Sequence, residues 1–308
     1  MDEIKLFCTA TIANVSCGFD VLGMALDKVG DEMIIRKVAK KGVKITKIVG
    51  QDLPLETEKN VAGVAALALL SKTNTEFGFE IEIYKNIKPG SGIGSSAASS
   101  AGAVFGINEL LGNPFSKHEL IEFAMQGERL ASGVAHADNV APALLGGFTL
   151  VRSTDPLDVI KIHTPSELYA TVIHPQIEVK TSDARQILKK SVPLKTAIKQ
   201  WGNIGGLISG LYTEDYDLIS RSLKDHIVEP IRSILIPAFD AVKKESVKAG
   251  ALGAGISGSG PSIFALSKGL EIAKNVGDSM KSVYNKVGIE YEVHISKINT
   301  GGIQIISK

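Results

Sequence analysis

Two glycine loops and a scattered set of polar side chains carry the chemistry legible in this chain. The segment PGSGIGSSAA, residues 89–98, contains Gly92-x-Gly94-x-x-Ala97 between an alternating apolar/polar stretch and a run of small residues. The spelling matches a dinucleotide fingerprint. However, no compact βαβ unit with an acidic residue about 20 positions on follows it. It is not a Walker loop either, because no lysine follows the last glycine. The physical content survives both rejections. Glycines let backbone N–H groups approach an anion closely, the start of the following helix carries partial positive charge, and Ser95, Ser96 and Ser99 add hydroxyls. A tight turn alone does not need three spaced glycines with paired serines, so the segment reads as a phosphate cradle without a lysine. The second loop, GAGISGSGP at 253–261, repeats the spelling as Gly253-x-Gly255-x-x-Gly258. It lies between a helical and a strand pattern, the wrong order for a Rossmann turn. It either closes over a ligand or packs against the first loop.

The polar side chains admit two readings each. Asn14 and Asp20 interrupt the apolar segment ATIANVSCGFDVLG, either as turn formers with Gly18 or as site residues. Glu128 closes a helical pattern, and His136, Asp138 and Asn139 follow within eleven residues. A carboxylate reaching the cradle can hold Mg²⁺ together with a serine hydroxyl; otherwise Glu128 is a solvated helix charge and His136 a structural histidine. Arg185 in TSDAR and Arg232 in EPIR are surface ion-pair residues or a bidentate clamp for a carboxylate. An amino-acid substrate needs such a clamp, and an acceptor such as Asp20 for its ammonium group.

These residues must be positioned by a chain of 308 residues, long enough for two domains or one large one. With 34 basic and 33 acidic residues, it lacks the broad basic field of a nucleic-acid binder. A hydrophobic fraction of 44% is enough for a core, and the 31 glycines exceed the usual ~7%. The longest apolar run, residues 61–70, is far short of the ~20 residues that span a bilayer, so no membrane partner is expected. The acidic start shows no secretory signal. Two cysteines, Cys8 and Cys17, cannot form a disulfide framework, so a cytoplasmic enzyme or binding protein is the expectation. Lysines at 37, 40, 41, 44 and 47 alternate with apolar residues and have no interleaved aromatics, which marks a solvated strand face.

Periodicity predicts strands at 4–13 and 32–50, the latter turning at Lys41-Gly42, and a helix over 57–71 capped by Thr57 or Asn60. FEIEIYKNI, 79–87, alternates as a strand. Ala97 to Leu111 is small and apolar and ends at Gly112-Asn113-Pro114, a helix stop. A helix capped by Ser116 is predicted over 117–132, then a polar cluster with a Gly-Gly turn at 134–147, and a strand at 148–151. The turn Asp155-Pro156-Leu157, before a short strand at 159–162, is the candidate domain boundary, dividing the chain into 1–157 and 158–308. Beyond it, strands are expected at 169–174 and 262–266 and at the end. Helices are expected near 182–190, 194–213, 214–225, 237–249 and 269–286. This mixture lacks strict βαβ alternation and argues for an α+β class.

Taken together, ATIANVSCGFDVLGMAL, PGSGIGSSAA and GAGISGSGP resemble, in order and spacing, the three motifs of the GHMP kinase superfamily. HADNVAPALLGG at 136–147, with TSDAR and EPIR, is similar to the branch that phosphorylates L-homoserine. The resemblance runs from about residue 8 to 266. It implies a two-domain fold, with an N-terminal ATP-binding half like the second domain of ribosomal protein S5 and a ferredoxin-like C-terminal half. It further implies that ATP phosphates are wrapped by Pro89, Gly90, Ser91, Gly92, Ile93, Gly94, Ser95, Ser96, Ala97, Ala98 and Ser99, with Asn60 beside the adenine. Gly255, Ser257, Gly258 and Ser259 would close the site from the second half. Ser96 and Glu128 would coordinate Mg²⁺. Asn14, Asp20 and His136 would line the homoserine pocket, and Arg185 and Arg232, with Thr181 nearby, would hold the substrate carboxylate.

The resemblance also bears on mechanism. Mevalonate-type members carry an aspartate base in the segment where this chain has Asn139, so no dedicated base of that type is expected. Asn139, Asp20 and His136 form the implied catalytic set, and Asp138 is the remaining candidate base. Phosphoryl transfer leans mainly on positioning and charge neutralisation. The implied partners are the two small substrates and a second copy of the chain in a homodimer, without nucleic acid. Two alternatives stand beside this reading: another small-molecule kinase of the superfamily, and a non-catalytic sensor of ATP and a metabolite. The arginine pair disfavours the first; retention of Ser96 and Glu128 disfavours the second. The first motif departs from the common PAT…NLGPGFD pattern at Thr9 and at Val15-Ser16-Cys17, which puts a thiol beside the pocket and with it an expected sensitivity to thiol reagents.

Overall fold

A computed structural model of the chain describes residues 2–179 and 181–308, except for the side chains of residues 181 and 182. Two β-sheets form its frame. The first has seven strands. Its main path runs β11–β1–β2–β4–β3, formed by β1 (Glu3–Ala13), β2 (Leu22–Val38), β3 (Gly42–Val49), β4 (Gly78–Tyr84) and β11 (Gln304–Ser307). β5 (Phe148–Thr154) pairs with the start of β2, and β6 (Leu157–Ile162) with β5. The second sheet is antiparallel in the order β10–β7–β9–β8, from β7 (Leu168–Pro175), β8 (Gly253–Ile256), β9 (Ile263–Lys268) and β10 (Tyr291–Lys297).

β4 shows why the alternating segment becomes a strand. Phe79, Ile81 and Ile83 are fully buried while Glu80, Glu82 and Tyr84 face outward, so the period-two pattern puts one face on the core. The apolar face of the first sheet is covered by α1 (Val61–Leu70), α2 (Ser95–Leu110), α3 (Lys117–Ser132) and α4 (Val140–Leu145). α2 is nearly all Ser, Ala and Gly over its first half, which allows burial on most of its circumference. Outside the first sheet lie α5 (Thr181–Gln186), α6 (Leu194–Thr213), α7 (Tyr216–Ser222) and α8 (Glu229–Arg232). α9 (Phe239–Lys248) and α10 (Leu270–Val287) pack on one face of the second sheet.

Several expectations are corrected. β2 begins at Leu22, ten residues before 32, because the segment after the first motif returns directly alongside β1. The expected helix over 57–71 starts as a 3₁₀ turn, Thr57–Lys59, and becomes α-helical only after Asn60, whose Oδ1 accepts from the Ala62 amide at 3.0 Å. α2 starts at Ser95, inside the glycine loop. α4 and β8 occupy stretches read as a polar cluster and as a loop. The turn at 155–157 joins the β5–β6 hairpin, with Thr154 opposite Leu157, so it is a hairpin tip and not a linker. The chain changes sheets between Ile162 and Leu168, and β11 returns from the C-terminal end to the first sheet. Among the described residues no helix is long and apolar enough to cross a membrane.

α3 carries the Ser116 cap expected at its start, here as a full capping box with Glu119. Ser116 Oγ accepts from the Glu119 amide at 3.3 Å, and Glu119 Oε2 accepts from the Ser116 amide at 2.8 Å. Ser116→Ala should lower unfolding free energy by about 1 kcal/mol, seen as a lower urea midpoint at unchanged slope.

Candidate active site

A cavity of ≈ 560 Å³ opens between the end of β1, the first glycine loop, the end of α3 and the region around α5 and α8. Of the residues expected at the site, Asn14, Asp20, Pro89, Gly90, Gly92, Gly94, Ser95, Ser96, Ser99, Glu128, His136, Asn139, Arg185, Arg232, Gly258 and Ser259 line it, as do Asp138 and Lys85. Ser91, Ile93, Ala97, Ala98, Gly255, Ser257 and Asn60 do not. Asn60 has its side chain committed to capping α1 and to the Pro54 carbonyl at 2.8 Å, so Leu53 and Val61 form that part of the wall instead. Ala97 and Ala98 are buried in α2. Thr181 lies outside the residues whose side chains are described.

The cradle is shaped by backbone that only glycine adopts readily. Gly90, Gly92 and Gly94 have φ of +74°, +85° and +72°. A Cβ on Gly94 would fall 2.0 Å from Thr11 Oγ1, and one on Gly92 2.6 Å from the Ser257 carbonyl oxygen. Gly94 is the N-cap of α2, so the free amides of the first helical turn begin at the cavity. The second glycine loop packs against the first and also faces the cavity. Gly258 and Ser259 line the cavity. Ser257 Oγ donates to the Gly92 carbonyl at 2.7 Å, and the Ser262 amide donates to that of Ser91 at 3.2 Å.

A lysine does serve the cradle, from outside the loop. The side chain of Lys85 is 1% exposed and donates to the Asp31 carboxylate, to the Ser95 carbonyl at 2.9 Å and to Ser99 Oγ at 3.1 Å. Asp31 Oδ1 also accepts from the amides of Asn86 and Ile87 at 2.7 and 2.9 Å. The signal was present in the sequence: Lys85 stands in phase with Phe79, Ile81 and Ile83, on the buried side of the strand. Glu128 likewise follows Leu120, Ile121 and Ala124 along the buried stripe of α3. Burial pushes its carboxyl up to about 7 against the opposing effects of the Ser96 hydroxyl and Lys85, and Oε1 has no hydrogen-bond partner. Among the described residues no group of three or more His, Cys, Asp or Glu is arranged for a metal. An acidic oxygen plus a serine hydroxyl suits a hard cation that takes its other ligands from phosphate and water.

Across the cavity two guanidinium groups and a histidine face one carboxylate. Arg185 Nη2 donates to Asp20 Oδ1 at 2.7 Å, and His136 Nδ1 lies 3.9 Å from the same oxygen. Burial holds His136 below the usual histidine range, with Asp20 acting in the opposite direction. Arg232 is 3% exposed and donates to the Ala184 carbonyl at 2.8 Å. Burial, then the neighbouring Arg185, bring its guanidinium down to about 10. Both guanidinium groups lie over the Phe19 ring, 5.5 and 4.9 Å from its centroid for Arg185 and Arg232. Phe19 was not singled out from the sequence. Asn14 ties the site together: its Nδ2 donates to the Gly258 carbonyl at 2.7 Å, and its Oδ1 accepts from the Asp20 amide at 3.0 Å.

The chain is similar to known proteins over nearly its whole length. The profile for the GHMP kinases N terminal domain matches residues 60–147, and that for the GHMP kinases C terminal matches 207–286. The chain is 46% identical over 321 residues to a homoserine kinase of Chlorobaculum tepidum, covering 100% of this chain and 99% of that one. It is 43% identical over 289 residues to one of Methanococcus vannielii, covering 92% and 94%. The crystal structure of homoserine kinase from Cytophaga hutchinsonii superposes with a TM-score of 0.96 at 55% identity, over 99% of this chain and 98% of that one. The chain belongs to the homoserine kinase family of the GHMP kinases.

Membership in the homoserine kinase family favours the kinase reading over the mevalonate-type and sensor alternatives. It does not make Cys17 reactive. Cys17 is 1% exposed, off the cavity wall, and burial pushes its thiol up to about 12, so the expected thiol sensitivity is withdrawn. Asp138 is buried on the cavity wall with Oδ1 unpartnered, and burial, then Asp20 and Glu128, raise its carboxyl to about 7. Lys85→Met would strand the Asp31 charge beneath the cradle. It should cost about 3–5 kcal/mol of stability by denaturant unfolding, and the double variant Lys85→Met/Asp31→Leu should recover a large part of that loss.

Proposed function

We propose that the chain transfers the γ-phosphoryl group of ATP to the side-chain hydroxyl of L-homoserine, giving O-phospho-L-homoserine and ADP, with Mg²⁺ held at Ser96 and Glu128. One observation carries the reading: a phosphate cradle and a zwitterion clamp, Asp20 with Arg185 and Arg232, face the same cavity. The arginines take the substrate carboxylate and Asp20 its ammonium group, which leaves the hydroxyl free to point at the cradle. The hydroxyl oxygen then bonds to the γ-phosphorus while the bond to the β-phosphate oxygen breaks, its electron pair leaving with ADP. Asp138 Oδ1, unpartnered on the same wall, is the acceptor at hand for the hydroxyl proton. Bound at Ser96 and Glu128, the cation would neutralise charge on the phosphate oxygens.

The same reading assigns the reaction to threonine biosynthesis in the cytoplasm and the working form to a homodimer. An apolar stripe on α6 supports the last: Leu194, Ile198 and Trp201 are 68%, 49% and 55% exposed at helical spacing.

Coupled ADP-release assays over a panel of small alcohols should show clear preference for L-homoserine; silence on homoserine with turnover of another alcohol would refute the assignment. Arg232→Ala should raise the KM for homoserine roughly 10- to 100-fold, the scale of a lost charge-assisted bond, and leave that for ATP nearly unchanged. Equal weakening of both would place the arginine elsewhere. Glu128→Gln should lower kcat and raise the Mg²⁺ concentration needed for half-maximal rate. An unaltered metal profile would remove Glu128 from the cation site.

A further inference from the structure

We propose that Thr11 is a positioning residue that locks the Asn139 carboxamide with its oxygen toward the protein and its NH₂ toward the cavity, so that Asn139 meets the acceptor hydroxyl as a hydrogen-bond donor only. The inference rests on the kinase reading above and assigns a direction to the one polar group that replaces a base in that segment.

Thr11 is fully buried, and its Oγ1 donates to Asn139 Oδ1 at 2.7 Å. It stands just past a break in the β1–β2 ladder: Thr9 pairs with Gly30 but Thr11 with Ala25, so β2 carries extra residues at this point. Such irregularities re-aim the side chains beside them. Here the Thr11 amide donates to the Ile93 carbonyl at 3.1 Å, which fixes the residue to the phosphate loop. The pair sits directly under Gly94. A Cβ there would meet Thr11 Oγ1 at 2.0 Å and Asn139 Oδ1 at 3.1 Å.

Asn139 has no competing anchor. It is the residue before α4 yet makes no side-chain capping bond, and Thr11 supplies the one hydrogen bond of its carboxamide among the described residues. The opposite amide orientation would leave the Thr11 proton without an acceptor, since Oγ1 has no other hydrogen-bond partner among the described residues. With Oδ1 turned to Thr11 and packed under Gly94, where a Cβ would come within 3.1 Å of it, Nδ2 is the end of the carboxamide left to the cavity that Asn139 lines. An amide N–H can hold one lone pair of the hydroxyl oxygen and cannot take its proton.

Thr11→Val keeps the shape and removes the donor. It should lower kcat roughly 10- to 100-fold, the scale of one misplaced hydrogen bond, while both KM values stay within about twofold. Thr11→Ser should restore most of the rate. Thr11→Val combined with Asn139→Ala should be no slower than Asn139→Ala alone, because both changes remove the same interaction. In ¹⁵N spectra, the side-chain NH₂ resonance that disappears in Asn139→Ala should shift in Thr11→Val and return in Thr11→Ser. An unchanged kcat in Thr11→Val, additive losses in the double variant, or a rise in the KM for ATP would each overturn the proposal; the last would mean that Thr11 merely props the phosphate loop. If the wild-type chain turns over a different alcohol, the functional reading fails, and the same series run with that alcohol and by NMR still tests the pair.

Discussion

Below the phosphate loop an ammonium group is held by three acceptors, and the cavity depends on that arrangement. Lys85 has three N–H bonds to give, and Asp31, the Ser95 carbonyl and Ser99 Oγ take them. Asp31 in turn accepts two amides at the turn out of β4. A buried ion pair offsets its desolvation only when its remaining protons and lone pairs are satisfied, and here they are. The pair joins β2, β4, the glycine loop and the first turn of α2 at one point. It also fixes the electrostatics. The Lys85 charge is balanced by Asp31, so the positive side of the floor comes from the free amides and the dipole at the start of α2, which the pair holds in place.

The other end of the cavity is arranged on the same principle with the signs divided. Two guanidinium groups that repel each other share the face of Phe19, and Asp20 balances one of them. Arg185 is paired with Asp20, whereas Arg232, among the described residues, bonds only neutral carbonyls, so a ligand carboxylate can meet Arg232 while an ammonium group meets Asp20. On the proposed reading, preference for an amino acid over a plain hydroxy acid would follow from the carboxylate of Asp20, beyond the presence of the arginines.

What the sequence disclosed divides along physical lines. Features set by local backbone chemistry were legible: the strand over 79–87 from its alternation, the Ser116 cap at the start of its helix, and the glycine loop from its spaced glycines. The charged residues Arg185, Arg232, Asp20 and Glu128 each admitted a bland reading, and it was the resemblance of the motifs around them that gathered them into one site. Long-range partners were not. Thr11 and Asn139 are 128 residues apart, and Lys85 and Asp31 are 54 apart, so neither pairing has a local signature. The hairpin at Asp155-Pro156 was mistaken for a boundary because a turn signal reads the same whether the next strand stays in the sheet or leaves it. Asn60, expected beside the adenine, also has a local role that its position alone did not disclose, capping its own helix.

Cradle and clamp are joined through the peptide of Gly258. Its N–H donates to the Ala13 carbonyl at 3.3 Å at the end of β1, and its carbonyl accepts from Asn14 Nδ2 at 2.7 Å and from Arg232 Nη1 at 3.4 Å. A Cβ at this position, where φ is +57°, would press within 3.1 Å of the Gly92 carbonyl oxygen, so the glycine is needed both for its conformation and for the approach of the two loops. The same few atoms thus border the phosphate loop on one side and an arginine of the clamp on the other. A molecule reaching from clamp to cradle is gripped at both ends by groups whose separation one peptide unit fixes. On the proposed reading the reacting oxygen would be placed by the length of the ligand, and for a reaction governed by positioning and charge that placement would supply much of what a strong base would otherwise provide.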